Sequence, residues 1–322
     1  MGKNIKIGFH TDASDSQLRL INQMGATDAV AGRPAGDSGE VWQFEPMLRL
    51  RKKIEDHGLT LSVFEGIPVP DRVKLGRPGR DEDIDNYCES LRNMGRAGIP
   101  VLCYNWMVHF GWLRTSTSTP VRGGAVATTY NHEEFQRGPM TEYGEVEEEL
   151  LWESLEYFLK AIVPVAEEAG VNLAMHPDDP PLSPIRGIGR IMTSSENFQR
   201  MFDLVPSPSN GMTFCQGCFT EMGVDIPATI TNFASQGKIN FTHFRNLTGT
   251  VENFTESFHD EGKQDMYAAM KAYHDAGFAG PMRPDHAPTM EGDANDRPAY
   301  ALQGRLLAVG YMKGLIEAIE KA

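Results

Sequence analysis

Four residues of metal-binding type stand at one recurring place in the chain. His176, Cys215, His243 and Asp285 each close, or directly follow, a short apolar run, although more than a hundred residues separate the first from the last. Met singly, each has an ordinary explanation: a hydrogen-bonded imidazole, a small buried thiol, a carboxylate capping a helix. Four at equivalent points along a repeating pattern suggest a shared ion. The set mixes soft, borderline and hard donors and suits Zn, Fe(II) or Mn(II). The motif Cys215-Gln-Gly-Cys218 has no second Cys pair, so it is weak support for structural zinc. Cys215 is taken as the ligand and Cys218 as incidental.

Other reactive groups gather near the same places. His286 directly follows Asp285, and Tyr300 falls where the last helix is expected to start. Either can act as a general acid or base within hydrogen-bond reach of a substrate. By spacing alone, Tyr300 reads better as a helix residue packing on the barrel than as a catalytic group. Arg245, Arg283 and Arg305 are candidates to pair with a substrate carboxylate, or to form structural ion pairs. Asp178 and Asp179, in His176-Pro-Asp-Asp-Pro-Pro181, are placed to orient His176 or to make a turn.

The elements that must position these groups alternate. Strands are predicted at Ile5–Phe9, Asp28–Ala31, Thr60–Phe64, Ile99–Tyr104, Val171–Met175, Gly211–Phe214, Ile239–Phe244 and Pro281–Arg283. Helices are predicted at Asp15–Met24, Phe44–His57, Asp81–Ala97, Glu145–Ala169, Ser194–Leu204, Asp225–Ser235, Gln264–Ala276 and Arg297–Ile319. Eight strand–helix units imply a closed parallel (β/α)8 barrel of the TIM type, one α/β domain over residues 1–322. The rival open sheet usually carries a Gly-rich phosphate turn after an early strand, and none is present. In a barrel, the C-terminal strand ends share one rim, which is why the four ligand candidates are expected to converge. The longest irregular stretch, about 105–144, is the candidate cap.

Composition narrows the function. The net charge of −14 argues against nucleic acid and against anionic membranes. No apolar run approaches the roughly 20 residues of a membrane span. The opening Met1-Gly-Lys-Asn-Ile-Lys6 lacks a signal-peptide core, and Lys6 stands where myristoylation needs Ser or Thr. Four cysteines in 322 residues are no disulfide framework. A reducing, cytoplasmic setting is expected, and the Asn-x-Thr triplets at Asn240, Asn246 and Asn253 are then coincidental.

Several segments together carry a family resemblance. They are Ile67-Pro-Val69, Lys74-Leu-Gly-Arg-Pro-Gly-Arg-Asp81, Cys103-Tyr-Asn-Trp-Met107, Met175-His-Pro-Asp-Asp-Pro-Pro181, Phe214-Cys-Gln-Gly217, His243-Phe-Arg-Asn246, Asp265-Met266, Arg283-Pro-Asp-His286 and the C-terminal stretch from Tyr300. Across nearly its whole length the chain resembles the mannonate dehydratase family. That resemblance implies a TIM barrel, one Mn(II) or Fe(II) ion per chain, and loss of water from D-mannonate to give 2-keto-3-deoxy-D-gluconate. It maps the metal ligands onto His176, Cys215, His243 and Asp285, and the catalytic pair onto His286 and Tyr300, in either order of acid and base. Asn105, Asp178, Arg245 and Arg283 are the expected substrate contacts.

The chain departs from the family pattern at Val108-His-Phe-Gly-Trp112, at Ala287, at Cys218, at Phe9-His10-Thr11 and over 114–144. These lie at expected rim loops, which shape substrate choice. Two alternatives share the ligands: a metal-dependent sugar isomerase or epimerase, and a non-catalytic binding homologue. The expected partner is a small sugar acid, with a homo-oligomer as the common state of such barrels.

Overall fold

The computed structural model describes residues 5–322. The first four residues of the opening segment read above lie outside that range. Eight parallel strands close a barrel: Lys6–Thr11, Asp28–Ala31, Thr60–Glu65, Val101–Asn105, Asn172–His176, Asn210–Cys215, Ile239–Phe244 and Pro281–Pro284. Each pairs with the next in sequence, and the eighth returns to the first. Strands are therefore legible to within about two residues at either end.

Local chemistry sets the helix boundaries. Ser14, Ser194, Asp225 and Asp265 each accept a hydrogen bond from a backbone N–H in the first turn of the helix they precede. Gly170 ends the long helix Glu148–Ala169 at φ 68°, a left-handed conformation that glycine adopts without a Cβ penalty. Two apolar layers result. Val30, Val63, Val101, Cys103, Ala174 and Phe241 fill the barrel interior, and a larger core lies between strands and helices. The barrel is thus a packed core, with room for a site only at its ends.

Strand register brings the rim residues level. Cys215 lies opposite His243, His243 opposite Arg283, and Asn105 opposite His176. Positions far apart in sequence become neighbours through five adjacent strands.

Two expectations are corrected. The stretch 105–144 is not irregular throughout: it holds strands Ser116–Pro120 and Val126–Asn131 and a short helix His132–Gln136. The two strands join a hairpin, Leu247–Thr250 and Asn253–Glu256, in a separate four-stranded antiparallel sheet. These strands are rich in Thr and Ser and lack the apolar alternation by which strands are recognised in sequence. The last helix begins at Leu302, so Tyr300 lies in the turn before it rather than in its first turn. Among the described residues, no helix is long and apolar enough to cross a membrane.

Candidate active site

At the C-terminal rim is a cavity of about 290 Å³. Its wall includes Glu65, Asn105, His176, His243, Arg283, Asp285, His286 and Tyr300. Trp112 and Met107, from the segment after the fourth strand, cover part of it.

His176, at the end of the fifth strand, donates from Nδ1 to the Pro177 carbonyl at 2.7 Å. That bond leaves Nε2 as the lone-pair nitrogen, and it faces His243 Nδ1 at 3.2 Å. His243 Nδ1 is 3.7 Å from Asp285 Oδ2, and the same oxygen is 3.8 Å from Cys215 Sγ. Two overlapping triples, His176–Cys215–Cys218 and Cys215–His243–Asp285, have their ligand atoms within 4.8 Å of one another. Two ring nitrogens, a sulfur and a carboxylate oxygen converge with few hydrogens to share. This donor set fits one divalent cation.

The charges around the set favour the ligating, deprotonated form of its two anionic donors, Cys215 and Asp285, whereas an ion bound at His243 must displace a proton. Burial pushes the Cys215 thiol up, but the Cys218 hydrogen bond and His176 outweigh it and hold Cys215 well below its usual range. Burial likewise raises Asp285, yet His286, Arg283 and His243 keep it well below the carboxylate range. For His243, burial and Arg283 lower the pKa, while Asp285 and Glu65 overcome them and raise it to about 9.

Asp285 divides its oxygens. Oδ2 faces the donor set, and Oδ1 accepts from Arg283 Nη1 at 2.8 Å. Arg283 also donates twice to Glu65, at 2.7 and 3.0 Å, and Glu65 Oε1 lies 3.0 Å from His243 Nε2. Glu65 ends the third strand and was not singled out in the sequence. The rule that found the other rim residues, a ligand-type group at a strand end, would have found it.

The expected substrate contacts divide. Asn105 and Arg283 line the cavity. The Asn105 Oδ1 accepts from the Met107 N–H, which leaves its amide N–H groups for a ligand. Arg245, Asp178 and Arg305 do not line it. Asp178 is buried and accepts from the Met192 backbone N–H at 2.8 Å, fastening a loop. Arg305 donates to the His10 carbonyl at 3.0 Å. Arg245 is fully buried and pairs with Asp179, Glu221 and Glu256. A guanidinium so engaged has no fork left for substrate. Arg245→Met is expected to destabilise the fold by about 3–5 kcal/mol, because it leaves buried carboxylates without their counter-charge. Denaturant titration checks this, and an unchanged midpoint would show that the cluster contributes nothing.

Cys218 proves not to be incidental in position. Its thiol lies 3.4 Å from Cys215 Sγ and donates toward it. A serine hydroxyl can donate in the same place, so Cys218→Ser is expected to keep its metal at a cost of no more than about 1 kcal/mol. Loss of the ion in that variant, by elemental analysis, would make Cys218 a ligand in its own right.

Comparison with known proteins decides the family. The family model described as D-mannonate dehydratase (UxuA) matches residues 4–141 and 134–322. The chain belongs to the mannonate dehydratase family. Mannonate dehydratase 2 of Halalkalibacterium halodurans is 40% identical over 308 residues, covering 87% of this chain and 89% of that protein. Mannonate dehydratase of Thermotoga maritima is 40% identical, covering 94% of each. The crystal structure of mannonate dehydratase from Streptococcus suis serotype2 superposes with a TM-score of 0.90 at 36% identity, over 99% of this chain and 95% of that one. A xylose isomerase domain protein from Planctomyces limnophilus, at TM-score 0.62 and 14% identity, shares the fold. The mannonate dehydratase barrel is thus an architecture shared with sugar isomerases, and the family match sets this chain apart from them.

Proposed function

We propose that this chain removes water from D-mannonate to give 2-keto-3-deoxy-D-gluconate, with one Mn(II) or Fe(II) ion held by His176, Cys215, His243 and Asp285. The observation that carries the proposal is the convergence of those four donors at the floor of the cavity that His286 and Tyr300 line, with Cys215 buried just behind its wall, in a chain of this family. When bound, the ion supplies a Lewis acid for the negative charge that develops beside the substrate carboxylate.

The chain's own groups move the protons. His286 turns Nδ1 to the buried Glu256 at 3.0 Å and leaves Nε2 toward the cavity side. It is the base that takes the C2 proton. Burial, with Asp285 nearby, raises the Tyr300 phenol above its usual range, so it keeps its proton at neutral pH. It is the acid that protonates the departing C3 hydroxyl. The enol so formed tautomerises to the 2-keto acid, and one water is lost. Asn105 and Arg283 orient the substrate. The 105–144 segment, with Trp112 over the cavity mouth, is the cap. Four free cysteines suit a reducing cytoplasm.

The test is an assay of the purified protein with D-mannonate and a panel of other aldonates, with Mn(II) added or chelated, detecting 2-keto-3-deoxy acid. Metal-dependent product from mannonate is expected. Product from another aldonate alone would move the substrate and keep the chemistry. No product from any acid by the metal-loaded protein would overturn the proposal.

A further inference from the structure

Glu256 does not line the cavity, yet it touches the group assigned there as base. It ends the innermost hairpin strand of the side sheet, Asn253–Glu256, and is fully buried. Its Oε1 lies 3.0 Å from His286 Nδ1. The same carboxylate receives Arg245 through Nε at 2.9 Å and Nη2 at 2.6 Å, and Arg114 through Nη2 at 2.5 Å. Arg114 follows the fourth barrel strand, at the entrance to the side sheet, and stacks beside Trp112 at 4.8 Å.

We propose that Glu256 is the positioning residue of His286, fixing the ring's orientation and keeping its proton on Nδ1 so that Nε2 is free to accept one from substrate. The inference rests on the assignment of His286 under the proposed function. Two groups compete for Nδ1: Glu256 Oε1 at 3.0 Å and Arg114 Nη2 at 3.4 Å. A guanidinium only donates and an ionised carboxylate only accepts, so the two call for opposite tautomers. The carboxylate is nearer. Its negative charge is secured by Arg245 and Arg114, so it cannot itself carry the proton. Nε2 has Asp285 Oδ1 as its near neighbour, at 3.6 Å and beyond a good hydrogen bond. The nitrogen that faces the reaction is therefore the one left unprotonated. A carboxylate behind an imidazole also stabilises the imidazolium that forms when a proton arrives.

This gives the side sheet a role beyond covering the mouth. Its inner strand carries the carboxylate, and the chain leading into its outer strand carries Arg114, so the sheet reaches the base through one buried cluster.

The experiment uses the full-length, metal-loaded enzyme with D-mannonate. Glu256→Gln is expected to lower kcat about 10–100-fold, with KM and bound metal unchanged. In a His286→Gln background the same change is expected to add nothing, because Glu256 acts only through that ring. A merely structural Glu256 would lower both backgrounds alike, or shift KM and metal content, and either result overturns the inference. If His286→Gln is fully active, the assignment of the base fails. If it is crippled while Glu256→Gln is wild type, the positioning role alone fails. Should Glu256→Gln not fold, ¹⁵N-histidine spectra of the wild-type enzyme loaded with diamagnetic Zn(II) decide: a proton on Nδ1 of His286 is expected, and a proton on Nε2 overturns the proposal.

Discussion

His286→Gln and Tyr300→Phe are each expected to lower kcat about 10²–10⁴-fold, the usual contribution of a positioned acid or base. Neither side chain belongs to the converging donor set, so bound metal should be unchanged. The two variants should differ in one respect. With His286 intact, Tyr300→Phe can still exchange the C2 proton, so mannonate recovered from D2O should carry deuterium at C2. His286→Gln should neither exchange nor dehydrate. The cause lies in the two environments. His286 presents an unprotonated nitrogen because its other nitrogen is tied to Glu256, whereas Tyr300 is half-buried close to Asp285, which disfavours its phenolate. Steady-state kinetics, deuterium wash-in and elemental analysis check the pair. Full activity in either variant removes that residue from the reaction, and exchange by His286→Gln would reverse the roles.

The barrel and its rim were legible because both rest on local rules. Apolar runs alternating with helical periodicity fix eight strands, and closure of a parallel sheet places their ends together. His176, Cys215, His243 and Asp285 therefore converge as expected from position alone. Arg245 and Asp178 belong to the same motifs but turn away from the cavity. Nothing in the sequence distinguishes an arginine facing substrate from one enclosed by Asp179, Glu221 and Glu256, since those partners come from three separate segments. The side sheet was missed for a related reason. Residues 126–131 and 253–256 pair across more than a hundred residues, and their polar faces give no alternation to read. Glu256 and Arg114 were missed with it. The groups that orient the base thus sit where sequence patterning is weakest.

Asp285→Asn and Cys215→Ser are expected to abolish turnover by loss of the ion. Each removes one of the two anionic donors from a set whose other two members are imidazoles. Loss of an outer-shell partner alone typically weakens a site by about 10–100-fold, and loss of a ligand should exceed that. The consequence is measurable without substrate. An ion that binds only the folded protein stabilises it by RT ln(1 + [M]/Kd), which is about 2.7 kcal/mol when the ion is at a hundred times its Kd. A variant binding a hundredfold more weakly keeps only about 0.4 kcal/mol at the same ion concentration. Wild type should therefore melt at a clearly higher temperature with Mn(II) than with chelator, and the variants should melt alike in both. The two variants should also differ from each other. Asp285 pairs with Arg283, but Arg283 keeps its two bonds to Glu65 when Asp285 is replaced. Cys215 accepts from the neutral Cys218 thiol at 3.4 Å and from Arg245 Nη1 at 3.6 Å, but Arg245 keeps its ion pairs with Asp179, Glu221 and Glu256 when Cys215 is replaced. Asp285→Asn therefore carries an added cost from the half-released arginine, visible as a lower melting point than Cys215→Ser in chelator. Retention of the Mn(II)-dependent shift in either variant would exclude that residue from the metal site and leave the remaining donors to hold the ion.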